Sequence, residues 1–173
     1  MKRSSGILMS ISSLPSPYGI GTMGKCAYDF IDFLSAAGQK YWQILPLGAT
    51  SHGEPSDSPY QAYSAFAGNP YFINLEALIG EGVLTEEECD AYDFGDDDTS
   101  VDYEKIYLSR FKILYQAFQN SHIAQNAEFQ KFCEENAHWL ADYALYMAVK
   151  NSFDGKSWIY WDEKIKQREK SEV

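Results

Sequence analysis

Cysteine is scarce in this sequence. Its three cysteines, Cys26, Cys89 and Cys133, lie far apart and in no Cys-x-x-Cys arrangement. An odd number at such spacing excludes a disulfide scaffold and a thiolate zinc ribbon, and reads as free thiols in a reducing compartment. Positive charge is scarce as well: 14 Lys and Arg stand against 25 Asp and Glu, for a formal net charge of −11. A nucleic-acid binder needs a basic footprint, and so does a protein held on an anionic membrane surface; neither is expected here. No apolar run approaches the roughly 18 residues of a membrane-spanning helix. The opening Met1-Lys2-Arg3 is basic, but Leu8 and Met9 are soon followed by Ser10, Ser12 and Ser13, so no signal peptide is read. A cytoplasmic location is the expectation. Histidine is limited to His52, His122 and His138, too far apart in sequence to suggest a metal site. The Asp96-Asp97-Asp98 run lacks the spacing of a calcium loop, so no metal is expected.

What is present is an ordinary globular balance, 45% hydrophobic and 23% charged, with a high aromatic content of 16% led by 13 Tyr. The 173 residues suffice for a real core. They fall short of the roughly 250 that eight βα units need.

Residues 6–12 are short, apolar and partly β-branched, and read as a buried strand. Residues 14–24 hold two prolines and three glycines, a structured loop. Residues 25–37 place Ala27, Phe30, Ile31, Leu34 and Ala37 at helical spacing, with Gly38 as the stop. Residues 41–47 form a second strand-length run that Pro46 ends, with Tyr41 and Trp42 assigned to the core. Strand, loop, helix, strand is one βαβ unit with a parallel pair. Ligands of α/β proteins gather at the carboxyl ends of strands, which points to loops 13–24 and 48–70. Beyond Pro70 the pattern turns helical: 75–79, a Thr85-to-Glu88 capping box, 103–120, and one or two helices within 127–150. Residues 93–100 read as a solvated acidic loop. Two strands make a poor sheet alone, and a buried parallel strand needs neighbours on both sides.

The segment Asp57-Ser58-Pro59-Tyr60-Gln61, continuing Ala62-Tyr63-Ser64-Ala65-Phe66-Ala67-Gly68-Asn69-Pro70, concentrates hydroxyls, an amide, a carboxylate and aromatic faces. Sugars require that mix, with planar hydrogen bonds to ring hydroxyls and stacking on the C–H face. On chemistry alone it is most simply a turn whose polar groups satisfy its own backbone.

The string itself resembles the loop after the second barrel strand of glycoside hydrolase family 77, the amylomaltase and disproportionating-enzyme family. Three further stretches resemble the same family in the same order. They are Ser5-Gly6-Ile7-Leu8 with Ser12 through Gly21, then Ala37-Gly38-Gln39 with Tyr41 through Gly48, then Trp139 through Ala148. The resemblance runs to about Arg168. Departures are Ser10 where the family usually has His, additional Glu54-Pro55-Ser56, His52 in place of an aromatic, and Ala141 in place of an acid.

The resemblance implies an α/β protein that carries the first βαβ unit of a (β/α)8 TIM barrel, over residues 1–72. A mainly helical insertion subdomain would follow over 73–173. It implies a 4-α-glucanotransferase that moves α-1,4-glucan segments between malto-oligosaccharides by retaining double displacement, with no cofactor. Retention needs two carboxylates close across the scissile bond. The family's catalytic Asp, Glu and second Asp follow later strands, so no catalytic residue is expected in this chain, which reads as an amino-terminal part, inactive alone. Tyr60 resembles a family tyrosine that contacts glucan; Ser58, Asp57 and Gln61 are weaker substrate-binding candidates. A non-enzymatic glucan-binding module and a ligand-free structural remnant are the competing readings.

Overall fold

The structure is a computed structural model that describes residues 3–50 and 57–169. It is an α/β protein with two parallel strands and several helices. The chain divides into two compact units, residues 1–124 and 125–173.

In the first unit, β1 (Gly6–Leu8) and β2 (Tyr41–Gln43) pair in parallel, with Gly6 opposite Tyr41 and Leu8 opposite Gln43. Between them in sequence lies α1 (Lys25–Ala36). The expected order is present, but the strands are three residues each rather than seven. After Leu8 the chain turns, because Ser10 bonds through its hydroxyl to Ser12 at 2.7 Å and to Ser13 at 2.9 Å, and Ile11–Ser13 tighten into a 3-10 turn. Serine hydroxyls offer the backbone this local alternative to a ladder.

The strands are also less covered than expected. Side chains alternate across a strand. Trp42 faces α1, where its ring meets Phe30 edge-on at 5.0 Å and its indole N–H donates to the Met9 carbonyl at 2.9 Å. Leu8 and Tyr41 fall on the opposite face and stand 60% and 66% exposed. Tyr41 is therefore a surface residue and not core. Within α1, Ala27 and Leu34 are buried while Ile31 is exposed, so the helix buries a narrower stripe than its periodicity suggests.

The main core of this unit lies elsewhere. Tyr18 and Ile20 from the 14–24 loop pack with Tyr71, Leu75, Leu84, Cys89, Phe94, Ile106, Ile113 and Ala117. Those residues come from α2 (Leu75–Gly80), α3 (Glu86–Asp90), α4 (Tyr103–Ser121) and their connections. Each helix start is capped. Asn74 accepts from the Ala77 N–H, Asp102 accepts from Lys105, and Thr85 with Glu88 closes a reciprocal box. One charged group sits among these apolar side chains. Arg110 is fully buried and donates from Nη2 to the Ile73 carbonyl, while its Nε and Nη1 find no partner among the described residues.

The second unit is helical: α5 (Ala127–Glu135), α6 (Ala137–Ser152) and the single turn α7 (Glu163–Lys166). Trp161 is buried between Tyr146 at 5.4 Å and Phe153 at 5.8 Å. Lys150, also buried, donates to the carbonyls of Gly155 and Lys156, which closes the turn that leaves α6. Asp142 is exposed and pairs with Arg168 at 2.8 Å.

Candidate glucan-contact loop

The chain leaving β2 is braced into a fixed shape. Antiparallel bridges join Gly48 to Gly68 and Thr50 to Ala62. The N–H of Tyr63 donates to the Ala49 carbonyl at 3.1 Å, and that of Asn69 to the Leu47 carbonyl at 2.8 Å. Glycine is needed at 48, since a Cβ there would stand 2.6 Å from that of Ala62. Asn69 ends the segment by accepting from the Tyr71 N–H at 3.0 Å, with Pro70 in the first position of a 3-10 turn (Pro70–Phe72). Asn69 and Pro70 are thus the helix start that their residue types suggest.

Residues 58–61 form a tight turn. The Gln61 N–H donates to the Ser58 carbonyl at 3.0 Å, and the Tyr60 N–H donates to the Ser58 hydroxyl at 3.4 Å. The serine side chain serves its own turn, and Gln61 is exposed. Pro59 at the second position fixes the backbone, and Tyr60 is thrown outward, 72% exposed.

Of the four residues singled out from sequence, Tyr60 and Asp57 line separate clefts, and Ser58 and Gln61 line neither. Tyr60 lines an open one of about 550 Å³, together with Pro46, Leu47, Gly48, Ala65, Phe66 and Gly68. None of the described residues lining it carries a charge. Asp57 lines a second, of about 230 Å³, with Ser10, Ser12, Ser13, Thr50 and Asn69 around it and Tyr71 and Tyr103 behind. Pro59 lines both. Burial, and after it the Asp57 carboxylate, push the Tyr71 phenol well above its usual range. Asp57 is the one carboxylate among the described residues lining these two clefts. Retaining glycosyl transfer asks for two carboxylates about 5 Å apart. His52 and residues 54–56 lie outside the described residues. Among the described residues, no three His, Cys, Asp or Glu gather where they could hold a metal ion, and no helix is long and apolar enough to cross a membrane.

Sequence reasoning missed three contributors. Phe66 lay inside the quoted string without being singled out, yet its ring is 64% exposed on the Tyr60 cleft. The Ser10 and Ser12 hydroxyls fall within the expected strand 6–12, while Ser13 opens the 13–24 loop that the strand ends point to. Tyr71 follows the Asn69-Pro70 cap directly, but nothing in the sequence shows that it backs Asp57.

A loop braced on the carboxyl side of a parallel strand pair, with a neutral aromatic-walled cleft, belongs to a known class. The family profile described as 4-alpha-glucanotransferase, glycoside hydrolase family 77, matches residues 9–173. The chain belongs to that family. A 4-alpha-glucanotransferase of Streptococcus pneumoniae is 50% identical over 163 residues, covering 94% of this chain and 32% of the relative. That of Clostridium butyricum is 48% identical, covering 95% of this chain and 33% of the relative. Among solved structures, the amylomaltase from Streptococcus agalactiae in complex with acarbose superposes with a TM-score of 0.86 at 40% identity, covering 99% of this chain and 34% of that one. The chain thus spans about a third of the length of the relatives it matches.

Proposed function

We propose that this chain supplies glucan contacts near the cleavage point of a 4-α-glucanotransferase acting on α-1,4-glucans and malto-oligosaccharides, while the reacting carboxylates come from residues outside it. On this reading β1, α1 and β2 are the first βαβ unit of a (β/α)8 barrel, residues 73–173 are a mainly helical insertion, and the protein is cytoplasmic with no nucleic-acid partner. The observation that carries the reading is Tyr60: an aromatic ring held 72% exposed by a rigid proline turn over an uncharged cleft. A folded loop gains nothing from presenting such a ring to water, whereas a pyranose offers a C–H face that stacks on it and hydroxyls that its phenol can meet. Membership of the 4-alpha-glucanotransferase family and the acarbose complex of the Streptococcus agalactiae neighbour support the same substrate class. Asp57 and the serine hydroxyls around it extend the polar part of the contact.

Maltoheptaose titrated into the chain by calorimetry tests this. The Tyr60→Ala variant is expected to bind about 5- to 30-fold more weakly, from roughly 1–2 kcal/mol of lost stacking, and Tyr60→Phe to retain most of the affinity. The chain alone is expected to produce no glucose from maltotriose. Equal affinity for wild type and Tyr60→Ala would remove Tyr60 from the contact.

A further inference from the structure

We infer that Phe66 is a second sugar-stacking residue, which with Tyr60 gives the cleft two aromatic walls for one glucan segment. This rests on the reading of Tyr60 as a glucan contact. Three observations carry it. Phe66 is 64% exposed and lines the same cleft as Tyr60, six positions further on. Its exposure is built in rather than incidental to a loose loop. The Ser64 hydroxyl accepts from the N–H of Phe66 at 3.0 Å and from that of Ala67 at 3.1 Å. Ala67 next to it is buried, and its carbonyl accepts from the Ala49 N–H at 3.3 Å. The backbone on both sides of Phe66 is therefore fixed while the side chain stands mostly exposed. Finally, Gly48, Ala62, Ala65, Ala67 and Gly68 line the same cleft, and none of its described lining residues is charged. Aromatic rings beside small, uncharged residues fit a neutral, flat-faced ring with hydroxyls at its edge.

Two platforms on one cleft also bear on length. A glucan that reaches both rings gains from both, while one or two glucose units engage only one. Phe66 thus becomes a determinant of preference for longer chains at this cleft.

Calorimetric titration of the full chain with maltose and with maltoheptaose tests this, using wild type, Phe66→Ala, Phe66→Trp and Tyr60→Ala. Melting temperatures are recorded for each. The ring of Phe66 is mostly in solvent, so Phe66→Ala is expected to melt within a few degrees of wild type. Its affinity for maltoheptaose is expected to fall about tenfold with little change for maltose, and Phe66→Trp is expected to restore or improve it. Nuclear Overhauser contacts between glucose C–H protons and the Phe66 ring should appear in the wild-type complex. If Tyr60→Ala weakens binding but Phe66→Ala does not, Phe66 is no sugar contact and the Tyr60 reading stands. If wild type binds neither sugar, both fail together. An unchanged sugar affinity with a changed sedimentation coefficient for Phe66→Ala would assign the ring to a protein contact and overturn the proposal.

Discussion

The side-chain amide of Asn74 donates to the hydroxyl of Thr22, 52 positions away in sequence, at 2.9 Å. The oxygen of the same amide accepts from the Ala77 N–H and caps α2. One residue thereby ties the 14–24 loop to the first α-helix beyond the 48–70 loop. Gly24 is kept small by it, since a Cβ there would meet the amide nitrogen at 1.9 Å.

Replacing Asn74 by Ala removes a cap and leaves the buried Thr22 hydroxyl without this donor. A cap is worth about 1 kcal/mol and a stranded buried hydroxyl about 1–3 kcal/mol, so Asn74→Ala is expected to destabilise by roughly 2–3 kcal/mol. In thermal unfolding that is a fall of about 4–12 °C for a chain of this length. A shift under a degree would show that neither bond contributes.

Gly19 holds a φ of +73°, and a Cβ there would meet the Phe94 carbonyl oxygen at 2.0 Å. Left-handed backbone costs a residue with a side chain about 1 kcal/mol, and the collision with rigid backbone adds more. Gly19→Ala is expected to lose about 3 kcal/mol in urea unfolding and to disturb the Tyr18–Phe94 edge contact at 5.6 Å. Near-UV circular dichroism should report that ring pair directly.

Arg110 is the reverse case, a residue whose removal need not harm. Burial lowers its guanidinium to about 10 from an ordinary 12.5, and among the described residues no carboxylate pairs with it. By that shift its charge opposes folding by roughly 3 kcal/mol at neutral pH. Arg110→Met keeps most of the volume and gives up one bond to Ile73. It is expected to lie within about 1 kcal/mol of wild type or to exceed it, whereas Arg110→Ala opens a cavity and loses about 2–5 kcal/mol. Equal losses for both variants would mean that the guanidinium itself stabilises.

Asp97 carries the acid-sensitive contribution of the 93–100 loop. Hydrogen bonds from the Thr99 hydroxyl, the Ser100 hydroxyl and the Thr99 N–H hold its carboxyl at about 2, below the ordinary 3.8. A folded-state value below the unfolded one means that stability from this group is complete above about pH 4 and disappears as pH falls through about 2. The melting-temperature gap between wild type and Asp97→Asn should therefore be constant from pH 7 to 5 and shrink steadily below 4. A gap that persists unchanged at pH 2 would assign the difference to geometry rather than charge.

Much of the local structure was written in the residue order. The Thr85-to-Glu88 capping box, the Asn69-Pro70 start and the spans of α1 and α4 each depend on nearby residues, and each stands where those residues place it. The strands were harder. Residues 9–12 carry strand-like apolarity, but three serine hydroxyls within four positions bond to one another and turn the chain. Exposure of Tyr41 was hidden because it depends on which face Trp42 takes. The division of Asp57 and Tyr60 between two clefts follows from bridges that join residues about 12 to 20 apart, and no window on the sequence contains both partners and their geometry. The burial of Arg110 follows from α4 docking on the 73–75 segment, and is equally invisible along the chain.

The two-stranded sheet has a colloidal consequence. Among the described residues no further strand takes up the main-chain amides and carbonyls of its lateral edges, which lie beside the exposed Leu8 and Tyr41. Such an edge is a template for another copy. What holds copies apart is the net charge of −11, acting through a screening length of about 10 Å at 0.1 M salt and about 3 Å at 1 M. For this chain taken by itself, association through the sheet is therefore expected to rise with ionic strength.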